Sequence, residues 1–199
     1  MLLHKPSNQY SLAPDISVAR YYQLRDADSP NRTELAKMVR RRFESRFIEP
    51  VSDAVSDGWH VRGGFAALAL CCLAIQALQS FRSGKAASNT AGAIERFIKD
   101  NKEFWSLRGH EHAFYINIRN ALHHQAQTAG GWRINLSGPV FNPVSLSIGA
   151  QKFVNGFLAA LGRYCTELEQ TTNESRLWKN FLTKMNAIID ACDNEAGAS

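Results

Sequence analysis

Residues 65–75, FAALALCCLAI, form eleven apolar positions without a break, and no other stretch limits the fold of this chain so strongly. A helix that is apolar on every side must be enclosed by protein or by lipid. A membrane span needs about 20 predominantly apolar residues, and Gln76 interrupts this run. The segment therefore reads as the central helix of a soluble helical bundle, stopped at Ser83-Gly84, and not as a membrane helix. With 199 residues and 45% hydrophobic content, the chain can build a core around such a helix, which excludes wholesale disorder.

Other segments supply the enclosing helices. Asn31 and Glu34 have capping-box spacing, and Leu35, Val39, Phe43 and Phe47 then repeat every four residues. Lys37, Arg40, Arg41, Arg42 and Arg46 occupy the opposite face, and Pro50 is expected to end or kink the helix. Ile94, Phe97 and Ile98 mark a short helix, and HEHAFYINIRNALHHQAQT a further one that stops at Gly130-Gly131. The period then changes to two. Trp132, Ile134 and Leu136, followed by Val144, Leu146 and Ile148, predict a β-hairpin over about 131–149. Two amphipathic helices close the chain, one through Phe153, Val154, Phe157, Leu158, Leu161 and Leu168, the other through Trp178, Phe181, Leu182, Met185, Ile188 and Ile189. Residues 1–30 carry Pro6, Pro14 and Pro30 with no helical period and read as an arm. Gly58 punctuates the chain, and 193–199 read as a tail. The expected architecture is an all-α, up-and-down helical bundle over 31–192 with a small hairpin insertion.

Composition bounds the chemistry only loosely. Cys71, Cys72, Cys165 and Cys192 form no CxxC pair, which fits a reducing, cytoplasmic setting. The first residues, MLLHKPSNQY, lack the apolar stretch of a secretory signal. A net charge of +5 favours an anionic partner without separating RNA, DNA and acidic protein. No GxSxG, GxxxxGK[ST] or GxGxxG occurs. His110, His112, His123 and His124 crowd the fourth helix. The pairs His110/His112 and His123/His124 raise a zinc site, yet neither has the i,i+4 spacing that places two imidazoles on one helical face. We expect no metal and no cofactor. On a helix with apolar stripe Phe114, Tyr115, Ile118 and Leu122, Asn120 and His124 share the polar side, and Arg119 and His123 lie at its border. Ile116 also falls on the polar side, which suggests that this face meets another surface. A solvated face that happens to be rich in histidine accounts for the spacing alone.

Arg119, Asn120 and His124 match the spacing RNxxxH, late in the fourth helix of a helical bundle and followed by QAQTAGGWRI. In this the chain resembles the HEPN superfamily over roughly residues 31–190. The resemblance implies a metal-independent endoribonuclease, active as a homodimer whose two motif helices face each other across one composite cleft. Arg119 would hold the phosphate, His124 would serve as base or acid toward the 2′-OH chemistry, and Asn120 would orient the imidazole or hold a phosphate oxygen. His123 and His112 stand as accessory candidates. Arg40, Arg41 and Arg42 are a candidate RNA-tracking surface, although a charge run of this kind is usually a solvated helix face. The expected partners are RNA, a second copy and, in a toxin-antitoxin or other defence or stress setting, a cognate antitoxin protein. Two alternatives stand beside this reading. One is a non-catalytic HEPN-like module that binds nucleic acid, nucleotide or a partner protein; the other is a structural bundle carrying the motif by chance.

Overall fold

The computed structural model describes residues 10–51, 62–86 and 90–196. Over the described residues the protein is mostly helical, with two small sheets. It gathers into two compact units: Met1–Ser45, Ser80–Ala87 and Gly162–Ser199 form the first, and Arg46–Gln79 and Ser88–Leu161 the second. The expected Gly58 break, the start of the arm and the end of the tail (197–199) lie outside the described residues.

In the first unit, strands β1 (Ser11–Ala13) and β2 (Ile16–Ser17) pair antiparallel, and helix α1 (Val18–Arg25) follows directly. The arm expected over 1–30 is therefore structured from Ser11 onward. Leu12, Ala13, Val18, Tyr21 and Leu24 are buried, too short a periodic run to signal a helix by itself. The Ser17 side chain caps α1 by accepting the Arg20 N–H. Helix α2 (Arg32–Phe43) begins as its sequence predicts, with Asn31 Oδ1 accepting the Glu34 N–H at 3.1 Å. Leu35, Val39 and Phe43 are buried. The helix then widens into a π turn over Glu44–Ile48 and remains helical at 49–51, so Pro50 does not end it. A π turn holds one more residue than an α turn. The next buried position after Phe43 is accordingly Ile48, five residues on, and Phe47 is only half-buried.

The apolar run lies in helix α3 (Arg62–Ser83), which ends at Gly84 with φ +69°. This helix is long and apolar enough to cross a membrane by length and composition. Here Leu68, Cys71, Cys72, Ala74, Ile75 and Leu78 are buried within the protein, as in the central helix of a core. Its last turn brings Phe81 into the first unit, where the ring packs against Phe43, Tyr164 and Phe181 at centroid separations of 5.8–6.4 Å. The two closing helices, here α6 (Ala150–Gln170) and α7 (Arg176–Ala196), bury Phe153, Phe157, Leu161 and Leu168, and Trp178, Phe181, Met185 and Ile189.

The second unit also holds α4 (Thr90–Asp100), a 3₁₀ segment (Lys102–Leu107) and the motif helix α5. Helix α5 is built of an α turn Glu111–Phe114, a π turn Tyr115–Asn120 and an α turn Ala121–Gln125. An aromatic chain fixes it in place. Phe97 meets Phe104 at 5.1 Å, Phe104 meets Phe153 at 4.9 Å, and Phe153 stacks on Phe114 at 5.2 Å. Phe114 meets Trp132 edge-on at 6.4 Å, and Trp132 stacks on Phe141 at 4.8 Å.

The segment expected as a hairpin is a three-stranded sheet of order β3-β5-β4, from β3 (Arg133–Asn135), β4 (Phe141–Asn142) and β5 (Ser147–Gly149). The two alternating runs, β3 and β5, pair in parallel, and the short β4 supplies the antiparallel partner of β5. Asn142 explains the difference: its Oδ1 accepts the N–H groups of Val144 and Ser145, so the tight turn falls at 142–145 instead of between the runs. Val144 is therefore 94% exposed, not an inward strand residue.

Two stability measurements follow from this packing. Phe153→Ala removes the ring between Phe104 and Phe114 and is expected to cost about 3–5 kcal/mol in denaturant unfolding. The Tyr164 hydroxyl is buried without a hydrogen-bond partner among the described residues. Tyr164→Phe should thus raise stability by about 1 kcal/mol, read as a melting temperature higher by about 2–4 °C.

Candidate nucleic-acid cleavage site

Helix α5 buries Glu111, Phe114, Ile118 and Ala121, while Tyr115 and Leu122 lie half-buried along the edge of that line. The buried stripe is thus turned away from the one predicted, because side-chain size hid Ala121 and charge hid Glu111. Arg119 and Asn120 are half-buried, and His123 and His124 are exposed.

Arg119 is held from two sides. Its Nη1 donates to Asn120 Oδ1 at 2.9 Å, and its guanidinium lies 6.0 Å from the centre of the Tyr115 ring. Asn120 is accordingly engaged with the cation and not with His124. The arrangement leaves the remaining guanidinium N–H groups and the Asn120 amide N–H groups as donors, a set suited to phosphate oxygens. Arg119 also acts on the central helix. Burial pushes the Cys72 thiol up to about 12, and the positive charge of Arg119 opposes that rise. A thiol held protonated in this way is no nucleophile at neutral pH.

The histidines divide into two groups. His123 and His124 meet edge to face with ring centroids 4.9 Å apart. At the other end of the helix, His112 Nδ1 lies 2.9 Å from Glu95 Oε1, and His110 packs on Phe141 at 4.9 Å. His112 is therefore tethered to α4, and its ring stands 6.4 Å from Tyr115. Among the described residues no group of three or more His, Cys, Asp or Glu side chains could hold a metal ion.

The π turn governs what lies behind the motif. The Ala121 N–H bonds Ile118 O, three residues back, and Asn117 O instead accepts the Ala129 N–H from beyond the helix, at 2.9 Å. The returning loop is thereby tied to the motif helix. Ala126 terminates the helix in the left-handed region (φ 54°), and Gly130 follows with φ +58°. A Cβ on Gly130 would stand 2.5 Å from Asn117 Oδ1. Tyr115 and Asn117 were missed as site residues in the sequence, because a uniform 100° period does not register a π turn.

Arg40, Arg41 and Arg42 belong to the first unit, whereas the motif belongs to the second. Arg41 pairs with Asp15, Arg40 lies 4.0 Å from Glu44, and Arg42 Nη1 donates to Leu12 O at 2.6 Å. An apolar cavity of about 310 Å³ in the second unit, lined by Ile48, Val51, Ala67, Leu136, Val154 and Leu158 among others, includes no motif residue. Comparison with protein-family models, with curated proteins and with solved structures finds no match to this chain.

The loop attachment is testable by a double-mutant cycle. Gly130→Ala combines left-handed strain with the approach to Asn117 and should cost about 1–3 kcal/mol, with faster exchange of the Ala129 amide. Gly131→Ala has only strain to bear, since nothing lies within 4 Å of a Cβ there. Asn117→Ala should recover part of the Gly130→Ala loss and none of the Gly131→Ala loss.

Proposed function

We propose that this protein is a metal-independent endoribonuclease of HEPN type that works as a homodimer in the cytoplasm, in defence, stress or toxin-antitoxin regulation. The observation that carries the reading is the tethered Arg119–Asn120 pair one turn before the exposed His124 on the same helix.

The chemistry needs three things that these side chains can supply. A base takes the proton of a ribose 2′-OH, and its oxygen attacks the adjacent phosphorus. The bond from phosphorus to the 5′-oxygen breaks, and an acid returns a proton to that oxygen, leaving a 2′,3′-cyclic phosphate and a 5′-hydroxyl. A fixed cation stabilises the charge that gathers on the phosphoryl oxygens. Arg119 fills the last role, and Asn120 holds it in place. One His124 can act as base or as acid in a given step, so a second copy of the motif helix provides the other. Ile116 on this helix, 43% exposed, is an apolar side chain that such a second copy would cover. RNA phosphates would offset the repulsion between two facing arginines.

A second reading rests on the exposure of His124. Asn120 is committed to Arg119, and among the described residues only His123 meets the His124 ring. A module of this kind would bind RNA or a partner without cutting.

Wild-type protein is expected to cleave single-stranded RNA at an unchanged rate in excess EDTA, giving cyclic-phosphate ends and a bell-shaped pH profile. Arg119→Ala and His124→Ala should each lower the rate by at least about 100-fold. Arg119→Lys should rescue little, since an ammonium lacks the planar fork. Cleavage that survives both alanine variants would sink the mechanism. RNA binding without any cleavage by wild type would favour the binding module.

A further inference from the structure

The 3₁₀ segment before the motif helix turns Phe104 and Leu107 into the core and leaves Trp105 59% exposed. Tryptophan is highly buried on average, so an indole left in water in a well-packed segment needs a reason. Its surroundings supply one. Arg108 Nη2 donates to Lys99 O at 3.2 Å, which holds the guanidinium 4.8 Å from the centre of the indole ring. The Arg108 N–H bonds Trp105 O at 3.1 Å and closes the turn between them. A cation is thus fixed on the ring while much of the indole surface stays open. Arg96, Lys99 and Lys102 on the same stretch of chain are exposed, so residues 96–108 carry four cations against the two acids Asp100 and Glu103. None of the four cations forms an ion pair among the described residues.

We propose that Trp105 and Arg108 form a stacking platform for a base of single-stranded nucleic acid, with Arg96, Lys99 and Lys102 on the neighbouring phosphates. An exposed aromatic face inside a cationic patch is what sequence-tolerant binding of single strands requires, because every base offers a π face and every linkage a negative charge. The platform lies on the element immediately before the motif helix. Arg119 stands eight residues after Glu111, the first residue of that helix. A strand stacked on Trp105 would thus be held by the segment that leads into the motif helix. The platform does not depend on cleavage, because it consists of other residues and binds without chemistry.

Its test uses the full chain carrying His124→Ala, so that RNA stays intact, and reads anisotropy of a labelled 12-nucleotide RNA of mixed sequence. Trp105→Ala is expected to weaken binding about 5- to 150-fold, and Trp105→Phe to stay within about threefold of the parent. An oligomer with abasic sugars should bind the parent and Trp105→Ala alike. Lys102→Ala should flatten the dependence of affinity on salt. A single-stranded DNA of the same sequence distinguishes the two sources of this chemistry. Equal loss on DNA makes the platform general for single strands, and a loss on RNA alone adds the 2′-hydroxyl to what it reads. Unchanged RNA affinity in Trp105→Ala overturns the proposal. So does an equal loss on the abasic oligomer, or a Trp105→Ala protein whose mass in solution changes, which would assign the indole to a protein interface.

Discussion

Phe114 is the side chain on which the motif helix depends. It is wedged between Phe153 of a long helix and Trp132 at the edge of the small sheet, and it has no measurable exposure. Aromatic rings of this kind bring a large buried area and a preferred geometry. The helix is therefore fixed in rotation as well as in position. Only because Phe114 points inward do Arg119 and Asn120 emerge at the border of the helix and the two histidines beyond it. The small sheet serves the same end: Trp132 reaches Phe114 because β3 pairs with β5 and Phe141 covers it from the far side.

Backbone accounting explains the next layer. A π turn disturbs the regular four-residue ladder and frees a carbonyl, which must find another donor when buried. Asn117 O finds the Ala129 N–H, so the irregularity in the helix and the path of the loop after it are one feature. The loop can come close only because Gly130 has no side chain to meet Asn117. Arg119 gains from the same irregularity. It sits within the widened turn, with Tyr115 beneath its guanidinium and Asn120 beside it.

Much of this was legible in the sequence wherever a local rule settles the matter. The Asn31 cap, the stop at Gly84 and the buried apolar helix are set by short-range chemistry, and each is found where the sequence places it. What escaped depends on context. Residues 11–25 look like an arm because their five buried side chains gain their partners from elsewhere in the chain. Phe47 and Ile48 exchange roles because a π turn changes the period between them. The strands pair in parallel because the Asn142 amide captures two backbone N–H groups and moves the turn. Arg119, Asn120 and His124 were readable as a spacing, but the bond from Arg119 to Asn120 was not, since spacing does not say which of two neighbours a side-chain amide will choose.

Charge makes the same point at the scale of the chain. The arginine run on α2 is the conspicuous basic feature of the sequence, yet Arg40, Arg41 and Arg42 each have a partner within the first unit. Arg25 with Asp26, Lys37 with Glu34 and Arg82 with Glu167 extend that pattern. Exposed pairs of this kind add little stability, but they do offset charge locally. In the second unit His112 pairs with Glu95, while Arg96, Lys99, Lys102 and Arg108 have no carboxylate partner among the described residues. A net charge of +5 is a property of the whole chain, but a phosphate responds to the cations within a Debye length, about 8–10 Å. By that measure the number of arginines in a stretch of sequence says little, because an anion meets only the cations that no neighbouring carboxylate already offsets.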